Sequence, residues 1–300
     1  MGTQTLYIIG NGFDLHHEIG SSYPAFGKYV SQVDPGLHDT FENYFSFEGN
    51  WANLEETLAR IDVDLIVDDA STYFVSYGAE DWSDEDHHGY QSEVDRIVKS
   101  LSEELKRRFT EWIIGLRIPE PSSCSVPLIS LDRDASYLTF NYTKTLQKLY
   151  GVPPENVLHI HGQAISIGSE LVLGHGVNPA SIDSLNKGAD LIAQDSRVTE
   201  ANESIDQYFP ITYKSTSEVI SRNEPFLRSL AGVKKIYVIG HSLSGVDLPY
   251  FEQIVRNTSV SCPDWVVTYF CKSSIPGFKE ALSGIGVSDS RVKYVRISEI

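Results

Sequence analysis

The chain has little cysteine, few basic residues and no long apolar run. Its three cysteines, Cys124, Cys262 and Cys271, are odd in number and contain no C-x-x-C pair. Neither a disulfide framework nor a structural zinc site is therefore indicated, and a reducing cytoplasm is the expected location. No stretch approaches the roughly 20 apolar residues that a membrane-spanning helix needs, so we expect no membrane contact.

Basic residues are outnumbered by acidic ones, with 24 Lys and Arg against 41 Asp and Glu and a formal net charge of −17. Non-specific affinity for duplex nucleic acid comes from clustered Lys and Arg, so duplex binding is not expected. A hydrophobic content of 41% is ordinary for a globular protein with a core. The composition thus favours a folded, acidic protein that does not bind duplex nucleic acid.

Short apolar runs of strand length alternate with segments of helical period. Such alternation predicts an α/β fold with a Rossmann-like parallel sheet and right-handed crossovers. The predicted strands are Leu6 to Ile9, Tyr137 to Phe140, Val157 to Ile160, Glu170 to Leu173, Lys235 to Ile239, Trp265 to Phe270 and Lys293 to Ile297. Helices are predicted at about 143–150, 217–230 and 247–256.

Residues 51–116 have the period of helices rather than strands. Leu54, Leu58, Ile61 and Leu65 follow one helical stripe, and a second stripe extends over residues 94–109 with charges on its far side. We therefore predict a helical insertion over 51–116 in a Rossmann-like nucleotide-binding domain formed by 1–50 and 117–300.

A glycine-containing loop, Gly10-Asn11-Gly12-Phe13-Asp14, directly follows the first predicted strand. Glycines allow backbone N–H groups to approach a ligand closely, which indicates a phosphate-binding loop. The dinucleotide fingerprint has a third glycine where this chain has Leu15, so a plain Rossmann dehydrogenase is disfavoured. An ordinary tight turn after a strand is the alternative interpretation.

Polar side chains stand at the ends of further predicted strands. Asn141 and His161 follow the second and third strands, Gly240-His241-Ser242 follow a later one, and His175 follows the predicted strand from Glu170 to Leu173. Ligands of open parallel sheets bind outside the carboxyl ends of the strands, so these groups predict a nucleotide or sugar-phosphate site. Asp247 is predicted either to accept from a ribose hydroxyl or to cap its helix, and Asp14 carries the same ambiguity.

Two further motifs are similar to those of other kinds of site. Lys235 to Gly245 is similar to a nucleophile elbow with Ser242 at its tip, but Ser244 replaces a glycine and no histidine follows His241 to complete the triad order. His159 and His161 would share one face of a strand, as metal ligands do, yet no carboxylate-rich partner motif follows. A serine hydrolase is thus the lesser alternative, and no metal is predicted.

These motifs together resemble the AbiH family of bacterial phage abortive-infection proteins. More distantly they are similar to the sirtuin-type NAD-binding domains of bacterial defence NADases. The matching pieces are Gly10 to Leu15, Trp51 with Leu54-Glu55, Phe140 to Thr143, Ile160 to Gly162, and Gly240 to Ser242 with Asp247.

The resemblance implies an antiphage effector that hydrolyses NAD to ADP-ribose and nicotinamide, with Asn141 and His161 as the catalytic pair. The implied NAD-binding residues are Gly10, Asn11, Gly12, Phe13, Asp14, Gly240, His241, Ser242 and Asp247. The two cysteine pairs of a deacetylase zinc module are missing, so lysine deacylation is not expected. A defence-system partner or a homo-oligomer is compatible with this role.

Asn141 and His161 also have non-catalytic interpretations. Asn141 could cap the helix that follows it, and His161 could serve only as a hydrogen-bonded residue at a strand end. A nucleotide-binding sensor or regulatory subunit would use the same crevice without turnover.

Overall fold

The computed structural model describes residues 4–45, 51–80, 82–190 and 194–300. The chain divides into two compact units. The first, called the sheet unit, comprises Met1–Ser22, Thr110–Val172 and Ser215–Ile300. The second, called the helical unit, comprises Tyr23–Phe109 and Leu173–Lys214.

The sheet unit contains a six-stranded sheet in which every described pair of neighbouring strands is parallel. Its strands are β1 (Thr5–Ile9), β2 (Ser136–Thr139), β3 (Val157–His159), β4 (Lys235–Ile239), β5 (Asp264–Tyr269) and β6 (Val292–Arg296). The strand order is β3-β2-β1-β4-β5-β6, which is the doubly wound order and confirms the predicted Rossmann-like α/β fold. Its switch point lies between β1 and β4.

Helices connect these strands and form the helical unit. In chain order they are α1 (Asn11–His16), α2 (Tyr23–Val33), α3 (Pro35–Tyr44), α4 (Leu54–Thr57), α5 (Val63–Ser71), α6 (Asp84–Lys99), α7 (Leu105–Gly115), α8 (Thr145–Tyr150), α9 (Ser196–Thr212), α10 (Thr216–Arg222), α11 (Glu224–Ser229), α12 (Leu248–Thr258) and α13 (Ile275–Gly284). A π-helical turn, Ser100–Glu104, joins α6 to α7. None of the described helices is long and apolar enough to cross a membrane.

The sheet is covered by apolar side chains on both faces. Leu6 and Ile8 of β1 belong to one core cluster, and Tyr7 and Ile9 belong to the other, as the two-residue period of a strand requires. The Tyr7 ring stacks between Tyr137 and Tyr237 of the neighbouring strands at 4.9 Å from each. Burial on both sides explains why β1 is an unbroken apolar run from Leu6 to Ile9.

The helical unit differs in extent from the predicted insertion at 51–116. It begins at Tyr23 and also takes in the later segment that contains α9, because α9 packs against α6. The Arg197 guanidinium of α9 lies 3.9 Å from the Phe74 ring centroid and 4.1 Å from that of Tyr77, and it donates to the backbone oxygen of Val75. A single apolar stripe in the sequence does not reveal such a distant partner.

The predicted strand at Glu170 to Leu173 is wrong. Residues 170–173 form no strand, and the Val172 N–H instead donates to the His161 backbone oxygen at 2.8 Å. The helix predicted over 217–230 is divided into α10 and α11 at Asn223, and α9 lies where the polar composition gave no prediction of a helix. The stripe from Leu54 to Leu65 is likewise divided between α4 and α5.

Candidate functional site

The glycines of the first loop allow two stretches of backbone to meet. A Cβ on Gly10 would lie 2.6 Å from the His241 Cα, and one on Gly12 would lie 2.8 Å from the Gly240 oxygen. Gly240 has a φ of +65°, and a Cβ there would overlap the Phe13 backbone nitrogen. The loop after β1 therefore packs directly against the loop after β4, at the switch point of the sheet.

Most of the N–H groups in the glycine loop donate hydrogen bonds to backbone oxygens of the chain itself. The Gly10 N–H donates to the Ile239 oxygen at 2.9 Å, and the Gly12 N–H donates to the Gly240 oxygen at 2.7 Å. The Phe13 N–H donates to the Gly10 oxygen, and the Phe13 side chain is fully buried in the core. Asn11 is exposed, and its side chain forms two hydrogen bonds with Ser21, which lies beyond the end of α1.

Asp14 is a buried carboxyl group, with 1% of its surface exposed. Thr143 Oγ1 donates to Asp14 Oδ2 at 2.6 Å, whereas Oδ1 is buried and has no hydrogen-bond partner among the described residues. Burial raises the pKa of Asp14 to about 6, and interactions with Thr143, Thr145 and Asn141 oppose the rise. Asp14 thus changes charge close to neutral pH and offers one open acceptor.

Asn141 follows β2 and is 7% exposed. Its N–H donates to Thr139 Oγ1 at 3.1 Å, and its backbone oxygen is 2.9 Å from His159 Nδ1. Its side-chain Oδ1 is buried without a hydrogen-bond partner among the described residues. The N-cap of α8 is Lys144, so the interpretation of Asn141 as a helix cap is wrong.

His159 supports Asn141 from the neighbouring strand. The Nε2 atom of His159 lies 3.0 Å from Gln147 Nε2 and 3.1 Å from Gln163 Nε2. Because amide nitrogens only donate, His159 Nε2 accepts and Nδ1 carries the proton donated to the Asn141 oxygen. Burial lowers the pKa of His159, so the ring remains neutral and structural.

His161 and His241 face the same carboxylate. His161 Nε2 lies 3.9 Å from Asp247 Oδ1, and His241 Nε2 lies 3.5 Å from Asp247 Oδ2. Both imidazoles are nearly buried, with 4% of each side chain exposed, and 13% of the Asp247 side chain is exposed. The Phe140 ring packs against both imidazoles, at 5.1 Å from His161 and 4.3 Å from His241.

Asp247 does not serve as a side-chain cap for α12. It is the N-cap residue, but its side chain makes no capping hydrogen bond. Ser244 Oγ instead donates to Asp247 Oδ2 at 3.2 Å. The capping interpretation of Asp247 is therefore wrong, and its carboxylate faces the two histidines.

Ser242 is exposed and is not arranged as a nucleophile. No hydrogen bond between Ser242 and a histidine occurs in the described part of the chain, and the adjacent His241 ring faces Asp247. The left-handed backbone of this turn, which a nucleophile elbow places at the nucleophile, occurs at Leu243 with a φ of +56°. The geometry argues against a serine hydrolase.

A comparison with protein families matches residues 6–269 to the model described as "Bacteriophage abortive infection AbiH". The chain belongs to the AbiH family. No curated protein and no solved structure matches it. The AbiH match extends from β1 to the end of β5, so it includes every residue of the cluster around Asn141, His161 and Asp247.

Two motifs of the AbiH chain lie in the helical unit. The Glu55 carboxylate accepts from Tyr23 at 2.8 Å and from Lys214 Nζ at 3.2 Å, and the Lys214 side chain is fully buried. His175 is fully buried and forms an isolated β-bridge with Tyr213. His175 therefore belongs to the helical unit and not to the strand ends of the sheet unit.

Sequence reasoning missed several polar partners within the AbiH sheet unit. Thr143 donates to the buried Asp14 carboxyl group, and Ser244 donates to the partly exposed Asp247 carboxylate. The Tyr142 hydroxyl donates to the Val172 oxygen at 2.8 Å. Thr143 and Tyr142 lie close to Asn141 in the sequence, and this proximity was the signal that could have identified them as partners of the site. No group of three or more His, Cys, Asp or Glu among the described residues is arranged to hold a metal ion.

Proposed function

We propose that this AbiH chain is an antiphage effector that hydrolyses NAD to ADP-ribose and nicotinamide. The observation that carries the proposal is the position of Asn141 and His161 at the carboxyl ends of adjacent strands. Asn141 offers a buried open acceptor, and His161 faces the Asp247 carboxylate. This edge of a doubly wound sheet is where nucleotides bind.

The reaction needs no oxidant or reductant. The bond between the nicotinamide nitrogen and ribose C1′ breaks, and its electron pair leaves with nicotinamide, which becomes neutral. Positive charge develops on the ribose, as in glycoside cleavage. A water oxygen then bonds to C1′, and the proton that this water loses passes to a base and on to solvent.

In this proposal His161 is the base, and Asn141 orients the water or a ribose hydroxyl. An ordinary histidine has a pKa of about 6.5, and a positioned base typically contributes about 10²- to 10⁴-fold in rate. Asn141 Oδ1 and Asp14 Oδ1 are both buried acceptors without a described partner. Hydroxyl donors on a ribose supply the hydrogen bonds that these atoms lack.

The two loops at the switch point shape the binding crevice. The N–H groups of Gly10, Gly12 and Phe13 donate to backbone oxygens, so they are engaged within the fold. Ser242 is exposed beside them and supplies a hydroxyl donor to a phosphate or ribose. The glycines then act by allowing the close approach of the loops.

The test is incubation of the purified chain with NAD and detection of both products by mass spectrometry. We expect Asn141→Ala and His161→Ala to lower cleavage by at least about 100-fold, as loss of an essential orienting or basic group does. Asn156→Ala and His16→Ala remove the same side-chain types elsewhere in the sheet unit and should retain cleavage.

Retention of NAD cleavage in folded Asn141→Ala and His161→Ala proteins would rule out this assignment. A melting temperature raised by NAD without any product would instead indicate a nucleotide-binding module.

A further inference from the structure

One carboxylate at the edge of the sheet is shared by histidines from two different strand ends. His161 follows β3 and His241 follows β4, and these strands are separated by β2 and β1 in the sheet. Asp247 presents a different oxygen to each ring, Oδ1 to His161 and Oδ2 to His241. The contact therefore connects distant parts of the chain at one point.

The protonation of His241 follows from its hydrogen bonds. The Leu243 N–H donates to His241 Nδ1 at 2.9 Å, so Nδ1 is the unprotonated nitrogen of the neutral ring. The ring proton is then on Nε2, the atom that faces Asp247 Oδ2. Leu243 takes its left-handed φ of +56° in the turn that makes this arrangement.

The Asp247 carboxylate is itself held in place. Ser244 Oγ donates to Oδ2, and the Asp247 N–H donates to the Ser244 backbone oxygen at 3.0 Å. These two hydrogen bonds hold Asp247 against Ser244 at the start of α12. The carboxylate is thus oriented before any ligand arrives.

The groups around the two rings are aromatic. The Tyr250 ring of α12 lies 5.4 Å from the His161 ring, and the Tyr142 ring after β2 lies 6.2 Å away. Phe140 and Phe251 pack against His241 at 4.3 and 5.0 Å. Asp247 is the carboxylate among these contacts, and aromatic packing strengthens its field by excluding water.

We propose that Asp247 is the positioning residue of this site, which orients His161 and His241 and couples the two rings into one proton-binding unit. The role in catalysis rests on the proposed NAD hydrolysis. There His161 takes the proton of the attacking water, and the Asp247 carboxylate stabilises the imidazolium that forms. Asp247 takes no proton itself, and the imidazolium returns its proton to solvent.

The experiment measures the histidine rings by ¹⁵N NMR across pH in the wild type and in Asp247→Asn. An opposite charge near an imidazole favours its protonated form, so the substitution should move the His161 titration to lower pH by about 1–3 units. Asp289→Asn removes a carboxylate that is 57% exposed in the same unit, and it should leave the His161 titration unchanged.

Kinetics provide the second measurement. If the protein cleaves NAD, Asp247→Asn should lower kcat by at least about 10-fold and shift the acidic limb of the kcat–pH profile to lower pH. Asp247→Glu should restore part of the rate and part of the pH dependence. A folded Asp247→Asn protein with an unchanged His161 titration would overturn the inference. Shifted titrations in a protein that never cleaves NAD would support the role of Asp247 and refute the hydrolase.

Discussion

At one edge of the sheet, the glycine loop after β1 uses its polar atoms for packing, whereas a neighbouring cluster of side chains leaves polar atoms available to a ligand. In the glycine loop after β1, the N–H groups of Gly10 and Gly12 bond the β4 segment. In the cluster after β2, β3 and β4, Asn141 Oδ1 is open and the His161 ring faces Asp247. A glycine-rich motif can thus serve chain packing while side chains beside it provide the chemistry. Substitutions at the packed glycines Gly10, Gly12 and Gly240 should change stability, and those at the polar side chains of the cluster should change activity.

The largest effect on stability should come from Gly240→Ala. A left-handed φ costs an L-residue about 1–2 kcal/mol, and forcing atoms into a packed site costs about 1–3 kcal/mol more. The new Cβ would overlap the Phe13 nitrogen, so we expect the free energy of unfolding to fall by about 3 kcal/mol in urea denaturation.

Gly277→Ala is the matched control for that substitution. Gly277 lies within α13, and a Cβ there meets no atom within 4 Å. Alanine is favoured over glycine in a helix interior by about 1 kcal/mol, so this variant should be slightly stabilised. Equal stability of the two variants would show that the two loops are not in close contact.

Asp14 should make stability depend on pH in an unusual direction. Its pKa is raised from 3.8 to about 6 in the folded chain, so the folded state binds more protons than the unfolded state between these values. The free energy of unfolding then falls as pH rises through this window, by up to about 3 kcal/mol for two pKa units.

Asp14→Asn removes this titration and keeps an oxygen that can accept from Thr143. The stability of the variant relative to the wild type should therefore increase between pH 4 and pH 7, as measured by urea denaturation at each pH. A constant difference across this range would mean that the Asp14 carboxyl has an ordinary pKa in the folded chain.

The smallest effect should come from Ser242→Ala. Ser242 is exposed and its hydroxyl only adds a binding contact in the proposed site, so cleavage of NAD should fall by less than about 10-fold, as expected for one net hydrogen bond of about 1 kcal/mol. A serine hydrolase would lose its nucleophile in this variant. Complete loss of activity in a folded Ser242→Ala protein would restore that alternative.

Much of the sheet could be predicted from local pattern alone. The strands β1 and β4 are apolar after their first residue because both faces of the sheet are covered, and each is followed by a glycine. Residues 170–173 have a similar composition, but the Val172 N–H bonds the His161 oxygen in a loop. Composition gives strand propensity, whereas the pairing partner decides whether a strand forms.

The polar residues of the site could be predicted, but not their contacts. Asn141 and His161 stand at strand ends, and parallel topology brings such ends to one edge. Predicting that His161 and His241 share the Asp247 carboxylate requires knowing that the ends of β3 and β4 meet at the start of α12. No local sequence pattern gives that information. The sequence alone left two interpretations of the glycine loop, a phosphate-binding loop and a tight turn, because composition reveals neither φ angles nor packing contacts.

The most direct test of the account is NAD cleavage by the wild-type chain in H₂¹⁸O, followed by mass spectrometry. The account predicts unlabelled nicotinamide together with ADP-ribose that carries one ¹⁸O atom, and loss of both products in Asn141→Ala. NAD recovered intact from the wild type, or labelled product formed equally fast by a folded Asn141→Ala protein, would contradict it.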